Sequence, residues 1–228
     1  MKFIKIYYII LALCLSSTLF IHSNIKETSS VFEKTIVIDA GHGGLDGGCV
    51  GVNGSCEKDI NLKITYKLKD IIESNGYKVI LTRQTDDDLS SDDSSNKKRE
   101  DIHKRVRIIN ESNCLLFISI HCNKYVNNKI YGSQVFYSNV NKTNESKELA
   151  KEIMDSLKRH LKNTNRVERK IENKYLLDNT NKIGVICEVG FLSNEKEEAL
   201  LLKDTYQESI AKAIYDGVSN YLDRYSLL

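Results

Sequence analysis

Short apolar runs that alternate with segments of helical periodicity constrain the fold of this chain more than any other feature. Buried strands are predicted at Thr35–Ala40, Tyr77–Thr82, Leu115–Ile120, Ser133–Ser138, Tyr175–Leu177 and Ile183–Glu188. Helices are predicted over residues 57–75, 102–109, 149–161 and 195–225, the last as one or two helices. The sequence therefore predicts the α/β class: a single domain with a mostly parallel, twisted sheet of about six strands, flanked by helices on both faces.

Length and composition narrow the class of protein. The chain has 228 residues, of which 41% are hydrophobic and 28% charged, as in a globular domain and unlike a disordered or multi-span membrane protein. Its 33 Lys and Arg against 31 Asp and Glu leave a net charge of +2, too balanced for a dedicated nucleic-acid binder. Neither an internal repeat nor a linker interrupts residues 29–228, which are predicted to form one domain.

Residues 1–28 differ from this domain in pattern. Lys2 and Lys5 accompany an almost uncharged apolar run from Ile4 to Ile21, and polar residues follow. This order is typical of a secretory signal peptide. The run is slightly short for a membrane span, but no small-residue cleavage site follows it. The sequence predicts export from the cytoplasm and leaves open whether the segment is cleaved or retained as a membrane anchor.

The cysteines have two interpretations in an exported protein. Cys114, Cys122 and Cys187 lie on or beside predicted strands, which favours buried free thiols. Cys49 and Cys56 share one glycine-rich loop. Whether they form a short disulfide depends on a geometry that the sequence does not contain.

Two histidines and two glutamates mark one edge of the predicted sheet. His42 follows the first strand, His121 follows the third, Glu188 ends the last, and Glu57 begins the first helix. Functional groups of open α/β sheets collect beyond the carboxyl ends of the strands. Each residue alone has an ordinary structural interpretation, such as a loop histidine or a first-turn glutamate. Together, the two imidazoles and the Glu57 carboxylate match the ligands of a catalytic zinc with a fourth position open to water.

Glu188 and the other histidines are interpreted from their sequence context. Glu188 ends an apolar run, so its carboxylate should be half-buried and need a partner. The other histidines have polar or helical-surface contexts and are predicted to lie on the surface; they are His22, His103 and His160.

Five sequence strings carry a family resemblance. They are IVIDAGHGGLDGG, EKDINL, VILTRQTD, FISIHCN and CEVGFLSN, in this order, and they span most of residues 35–194. They closely resemble the zinc-dependent N-acetylmuramoyl-L-alanine amidases of the amidase 3 family. The resemblance implies that His42, Glu57 and His121 ligate Zn²⁺ and that Glu188 is catalytic.

A narrower resemblance concerns the biological role. The short chain, without wall-binding repeats, looks most like the sporulation amidases that modify spore cortex. Three segments strengthen this similarity: Lys98–Arg105, Gly132–Tyr137 and Asn165-Arg166. It implies hydrolysis of the amide between N-acetylmuramic acid and L-alanine in peptidoglycan, in the cell wall or spore envelope. Stem peptides would be removed before muramic δ-lactam formation, which requires a separate muramic-acid deacetylase.

Two other functions remain open, as does the need for an activating partner protein. One is a catalytically idle peptidoglycan-binding or sporulation partner protein that keeps the fold. The other is a different zinc hydrolase, a peptidase or a deacetylase, on the same scaffold. The intact set of His42, Glu57, His121 and Glu188 argues against an idle protein.

Three further features are interpreted as structural. Asn123 and Arg105 could position substrate, but bracing of the loops is favoured for both. The acidic loop at residues 86–93 could fold over the cleft or recognise a partner, but a flexible, solvated loop is favoured. Family members often have a proline shortly before the last strand, where this chain has Ile183-Gly184.

Overall fold

A computed structural model describes residues 34–225. The predicted signal peptide or anchor at residues 1–28 lies outside this range. Within the described residues, the helices include none with the length and apolar character that a membrane span requires.

One mixed sheet organises the described residues. Its strands are β1 (Thr35–Ala40), β2 (Lys78–Leu81), β3 (Cys114–Asn123), β4 (Gln134–Ser138), β5 (Arg169–Ile171) and β6 (Ile183–Phe191). Their order across the sheet is β2-β1-β3-β6-β4-β5. Neighbouring strands are parallel, except that β4 runs antiparallel to β6. The predicted α/β class with a mostly parallel six-stranded sheet is confirmed.

Helices cover both faces of the sheet. They are α1 (Glu57–Ser74), α2 (Lys97–Glu111), α3 (Thr143–Leu161), α4 (Tyr175–Asn179), α5 (Glu195–Leu201) and α6 (Asp204–Tyr225). On one face, buried residues of α1, α3 and α6, such as Leu68, Ile153 and Ile214, form the larger core. On the other face, α2 and α4 cover a smaller core that includes Phe117 and Leu177.

Close packing accounts for the glycine at position 184. A Cβ atom on Gly184 would lie 1.9 Å from the Phe117 ring on the neighbouring strand. Phe117 is 1% exposed, so its ring cannot move aside into solvent. Glycine therefore allows β3 and β6 to pair while the aromatic ring fills the smaller core.

Two details of the predicted order were wrong. Tyr175–Leu177, predicted as a strand, is the first part of helix α4. Leu176 and Leu177 are both buried, whereas alternate residues of a half-buried strand point to opposite faces. Strand β5 was not predicted, because Arg169–Ile171 is short and polar and pairs with β4 alone among the described strands, at the sheet edge.

Candidate active site

The two-residue period of the strands places His121 and Glu188 side by side. They are direct partners in the register of the parallel strands β3 and β6. Residues that pair in this way point to the same face of the sheet. That face is the one covered by α2 and α4, because Phe117 and Ile186 belong to its core.

His42 reaches the same edge through a tight loop after β1. Its backbone has a φ of 63°, in the left-handed region that non-glycine residues rarely adopt. Arg105 of α2 donates hydrogen bonds to the carbonyl oxygens of Ala40 and His42, at 2.7 Å each. Arg83 donates to the carbonyl oxygens of Ala40 and Gly41. The two guanidinium groups thus hold the loop in its unusual conformation.

Glu57, the first residue of α1, lies between the two imidazoles. Its Oε1 is 3.2 Å from His42 Nε2 and 2.9 Å from His121 Nδ1. The ligand atoms of the three residues lie within 4.8 Å of one another. Glu57 Oε2 accepts the backbone N–H of Cys49 at 2.8 Å. The donor set, two imidazole nitrogens and one carboxylate, fits zinc.

The carboxylates and imidazoles of this cluster shift one another's pKa. Burial alone would raise the pKa of Glu57, but the contacts from His121 and His42 outweigh burial and hold that pKa well below its ordinary value. Burial alone would lower the pKa of His42, but Glu57 and Asp46 outweigh it and raise the pKa. A dense negative field therefore surrounds the two imidazoles, which is the field that a divalent cation seeks.

Asp46 belongs to the site, although the sequence analysis did not single it out. Its Oδ2 lies 3.0 Å from His42 Nδ1 and 3.3 Å from Lys98 Nζ. This contact engages Nδ1 and leaves Nε2 facing Glu57. A carboxylate on the second ring nitrogen commonly orients a metal-ligating histidine. The signal in the sequence was the position of Asp46, four residues after His42 in the glycine-rich loop.

Glu188 differs from the other three residues in lacking a partner. Its Oε2 atom is buried and accepts no hydrogen bond in the described structure. Burial raises the pKa of Glu188 above its ordinary value, and the Glu57 carboxylate acts in the same direction. A cavity of about 220 Å³ separates this edge of the sheet from α2 and α4, and His42, His121 and Glu188 all line it. A buried carboxylate with raised pKa in a cavity is suited to acid–base chemistry.

Arg105 and Asn123, which were predicted to brace the loops, make contacts that fit this role. The Arg105 side chain is 2% exposed and also pairs with Asp39 and Asp101, at 2.8 Å each. Asn123 Oδ1 accepts the N–H of Lys124, and its carbonyl accepts the N–H of Leu192.

The acidic loop at residues 86–93 is exposed or partly exposed, as predicted, and it is also anchored to the site; its flexibility stays a prediction. Asp86 accepts a hydrogen bond from the N–H of Gly44 and pairs with Lys58 at 2.7 Å. The N–H of Leu89 donates to Asp101, which itself binds Arg105. The loop thus supports the segment that carries His42.

All five described cysteines are free thiols. Cys114, Cys122 and Cys187 are buried, as predicted. Cys49 and Cys56 do not form a disulfide in this structure, and Cys49 Sγ lies 3.7 Å from the carbonyl oxygen of Cys122.

The other described histidines lie away from the cluster. The His103 ring stacks on Tyr175, and His160 pairs with Asp216 at 2.9 Å. His22 lies outside the described residues.

Known proteins share this architecture. The family described as N-acetylmuramoyl-L-alanine amidase, Amidase_3, matches residues 36–220. The chain is 42% identical over 191 residues to the germination-specific N-acetylmuramoyl-L-alanine amidase of Bacillus subtilis, covering 82% of this chain and 79% of that protein.

Solved structures show the same similarity. The CwlD amidase from Clostridioides difficile, in complex with the GerS lipoprotein, matches with a TM-score of 0.80 and 46% identity, over 83% of this chain and 98% of that chain. The catalytic domain of the amidase CwlV from Bacillus (Paenibacillus) polymyxa matches with a TM-score of 0.73 and 31% identity, over 83% and 98%.

The family match extends over most of the sequence, and the relatives include one with 42% identity over most of both chains. The chain therefore belongs to the Amidase_3 family of N-acetylmuramoyl-L-alanine amidases, and it is a hydrolase of peptidoglycan.

Proposed function

We propose that this amidase is zinc-dependent, with His42, Glu57 and His121 as the metal ligands and Glu188 as the catalytic residue. The observation that carries the proposal is the convergence of three ligand atoms within 4.8 Å beside a buried carboxylate oxygen without a partner. When bound, zinc would supply Lewis-acid activation of the attacking water and of the muramoyl carbonyl.

The protein groups then have distinct tasks. Glu188 accepts the proton of the attacking water and passes it to the leaving amine of L-alanine, as a general base and then a general acid. Its raised pKa makes it a stronger base than an exposed glutamate. Asp46 keeps the His42 ring in its ligating orientation through the contact with Nδ1.

The role proposed for the enzyme is removal of stem peptides in spore cortex. The similarity to a germination-specific amidase supports this role. The product would be a glycan strand ready for muramic δ-lactam formation, which requires a muramic-acid deacetylase as a functional partner. Because the CwlD amidase was solved in complex with the GerS lipoprotein, an activating partner protein is part of the proposal.

The proposed location is outside the cytoplasm, in the cell wall or spore envelope. The basic and apolar pattern of residues 1–28 supports a signal peptide or a membrane anchor there, with residues 29–228 as the catalytic domain. Contact with the membrane would then occur only through an uncleaved N-terminal segment.

Product analysis tests the bond that is cleaved. The purified chain, loaded with zinc, is incubated with cortex-type peptidoglycan, and the products are identified by mass spectrometry beside a chelated sample. Stem peptides that begin at L-alanine, with intact N-acetyl groups, are expected. Released acetate would instead indicate a deacetylase, and cleavage within the stem a peptidase. No cleavage by the zinc-loaded chain, even with a partner protein added, would indicate an idle protein.

Metal binding tests the ligand assignment separately. His121→Ala removes one of three ligands and is expected to lose both zinc and activity. His160→Ala is a matched control, because His160 lies on α3 and pairs with Asp216. Normal zinc content in His121→Ala would contradict the assignment.

A further inference from the structure

The cavity beside Glu188 is lined by three cationic side chains, which differ in their pairing. Arg105 pairs with Asp39 and Asp101, and Lys98 pairs with Asp46 at 3.3 Å. Lys174, the third, forms no ion pair with any residue that the structure describes. It therefore offers the cavity an ammonium group that no described carboxylate contacts as an ion pair, while its charge acts on Glu188 through the cavity.

The position of Lys174 in the chain is unfavourable for local structure. Lys174 is the N-cap residue of α4, and its side chain makes no capping hydrogen bond. Side chains with an acceptor oxygen are preferred there, and a cation opposes the positive end of the helix dipole. Asn173 just before it has a φ of 58°, so the chain turns sharply to bring Lys174 to the cavity. Residues that break a local rule in this way are often functional.

Tyr175 provides a flat apolar surface next to Lys174. The residue is 42% exposed and lines the same cavity. Its ring stacks on His103 with the centroids 4.7 Å apart and the planes 7° from parallel. This stacking fixes the ring in place, so an extended chain could pack against it while a charged group meets Lys174.

A strongly acidic segment also lies near the site. The loop at residues 86–93 contains five aspartates and is anchored by Asp86 to the backbone of Gly44. A carboxylate of the substrate is therefore favoured beside Lys174 rather than beside this loop. The stem peptide carries such carboxylates on the residues that follow L-alanine, and the glycan strand beside them is less anionic.

We propose that Lys174, with Tyr175 beside it, forms the subsite that binds the α-carboxylate of the residue following L-alanine in the stem peptide. The subsite would orient the peptide so that the scissile amide meets Glu188 and would favour stems whose second residue is a free acid over stems in which it is a carboxamide. This inference rests on the amidase function proposed above.

Paired changes in enzyme and substrate test the subsite. Lys174→Met, Lys174→Arg and the control Lys147→Met are each compared with wild type on two peptidoglycans, one with the free α-carboxylate and one with the carboxamide. Lys147 is a suitable control because it is exposed on α3 and has no ion pair in the described structure. The readout is kcat/KM for release of stem peptides, with zinc content measured for every variant.

Lys174→Met is expected to lower kcat/KM about tenfold on the carboxylate substrate, mainly through KM, since one charge-assisted hydrogen bond is lost. On the carboxamide substrate it should stay within about twofold of wild type. Lys174→Arg should keep most of the preference, and Lys147→Met should resemble wild type on both substrates.

Two results would overturn the subsite. An equal loss of kcat/KM on both substrates would mean that Lys174 affects the cavity as a whole and does not bind the α-carboxylate. No loss on either would mean that it does not contact the stem. By contrast, a zinc-loaded wild-type enzyme that cleaves neither substrate, even with a partner protein added, would contradict the proposed function itself.

Discussion

Two buried polar clusters lie next to each other at the carboxyl ends of β1, β3 and β6, and they differ in how completely they are paired. In the first, Asp39 accepts hydrogen bonds from Thr82, Arg105 and Ser119, at 2.6, 2.8 and 2.6 Å. In the second, the oxygen Oε2 of Glu188 is buried without any hydrogen bond in the described structure. The first cluster is satisfied from all sides, and the second is left incomplete.

This difference in hydrogen bonding distinguishes a cluster that stabilises the fold from a cluster that carries out chemistry. A fully bonded buried network fixes the elements that it joins, whereas an unpaired buried carboxylate costs stability and is kept where it has a task. Arg105 connects the two clusters, since it pairs with Asp39 and also donates to the carbonyl oxygen of His42. The cluster around Asp39, which we call the satisfied cluster, thus holds the backbone of His42. His42 belongs with Glu57, His121 and Glu188 to the second cluster, which we call the reactive cluster.

Removing the charge of Glu188 should have the largest effect on activity. Glu188→Gln keeps the shape of the side chain but cannot accept the proton of the attacking water. We expect kcat to fall about 10²- to 10⁴-fold, with zinc content and folding unchanged. Steady-state kinetics, metal analysis and urea unfolding check this together. Glu172→Gln, on an exposed residue, serves as the control. Activity within tenfold of wild type would remove Glu188 from the proton-transfer role.

Breaking the satisfied cluster should instead reduce stability. Arg105→Met leaves Asp39 and Asp101 buried without their cation, which typically costs about 3–5 kcal/mol of unfolding free energy. Arg107→Met is the matched control, because the Arg107 side chain on the same helix is 64% exposed and its one ion pair among the described residues is with Glu111. We expect its effect to stay below about 0.5 kcal/mol in urea unfolding. Similar losses from both variants would show that the network does not contribute as proposed.

Substitution of Asp46 tests whether the reactive cluster needs a second carboxylate to position His42. Asp46→Asn weakens the contact with His42 Nδ1 but retains the size of the side chain. Loss of such a support typically lowers metal affinity about 10- to 100-fold. Competition with a chromophoric chelator measures the affinity directly, without reference to activity. Asp92→Asn, in the exposed part of the acidic loop, should leave the affinity unchanged. Unchanged affinity in Asp46→Asn would show that the loop backbone alone positions His42.

The sequence predicted the parts of this arrangement that depend on local pattern. Apolar runs indicated the main strands, and the ends of those strands indicated that His42, His121 and Glu188 would meet at one edge of the sheet. The structure brings these residues together with Glu57. Their roles in zinc binding and catalysis stay predictions.

The missed features depend on contacts between distant segments. The antiparallel pairing of β4 with β6 follows from the register of the whole sheet. A Tyr-Leu-Leu triplet is too short for periodicity to distinguish strand from helix, so the start of α4 was assigned wrongly. Asp46 and the Arg105 network acquire their meaning only when loops and helix α2 fold over the strand ends.

The pH dependence of stability gives the smallest effect and the finest test of the satisfied cluster. Burial alone would raise the pKa of Asp39, but Arg105 and the hydroxyl donors Ser119 and Thr82 outweigh it and lower the pKa to about 2, from an ordinary 3.8. Because the folded-state pKa is the lower one, the ionised carboxylate stabilises the fold above about pH 4, and this contribution is lost as pH falls toward 2. The shift corresponds to about 2 kcal/mol. Urea unfolding between pH 6 and pH 2 should show this loss in wild type, and Asp39→Asn should lack that part of the slope while being less stable at neutral pH. An identical slope in both proteins would mean that other carboxylates, and not the Asp39–Arg105 network, govern the acid sensitivity of the fold.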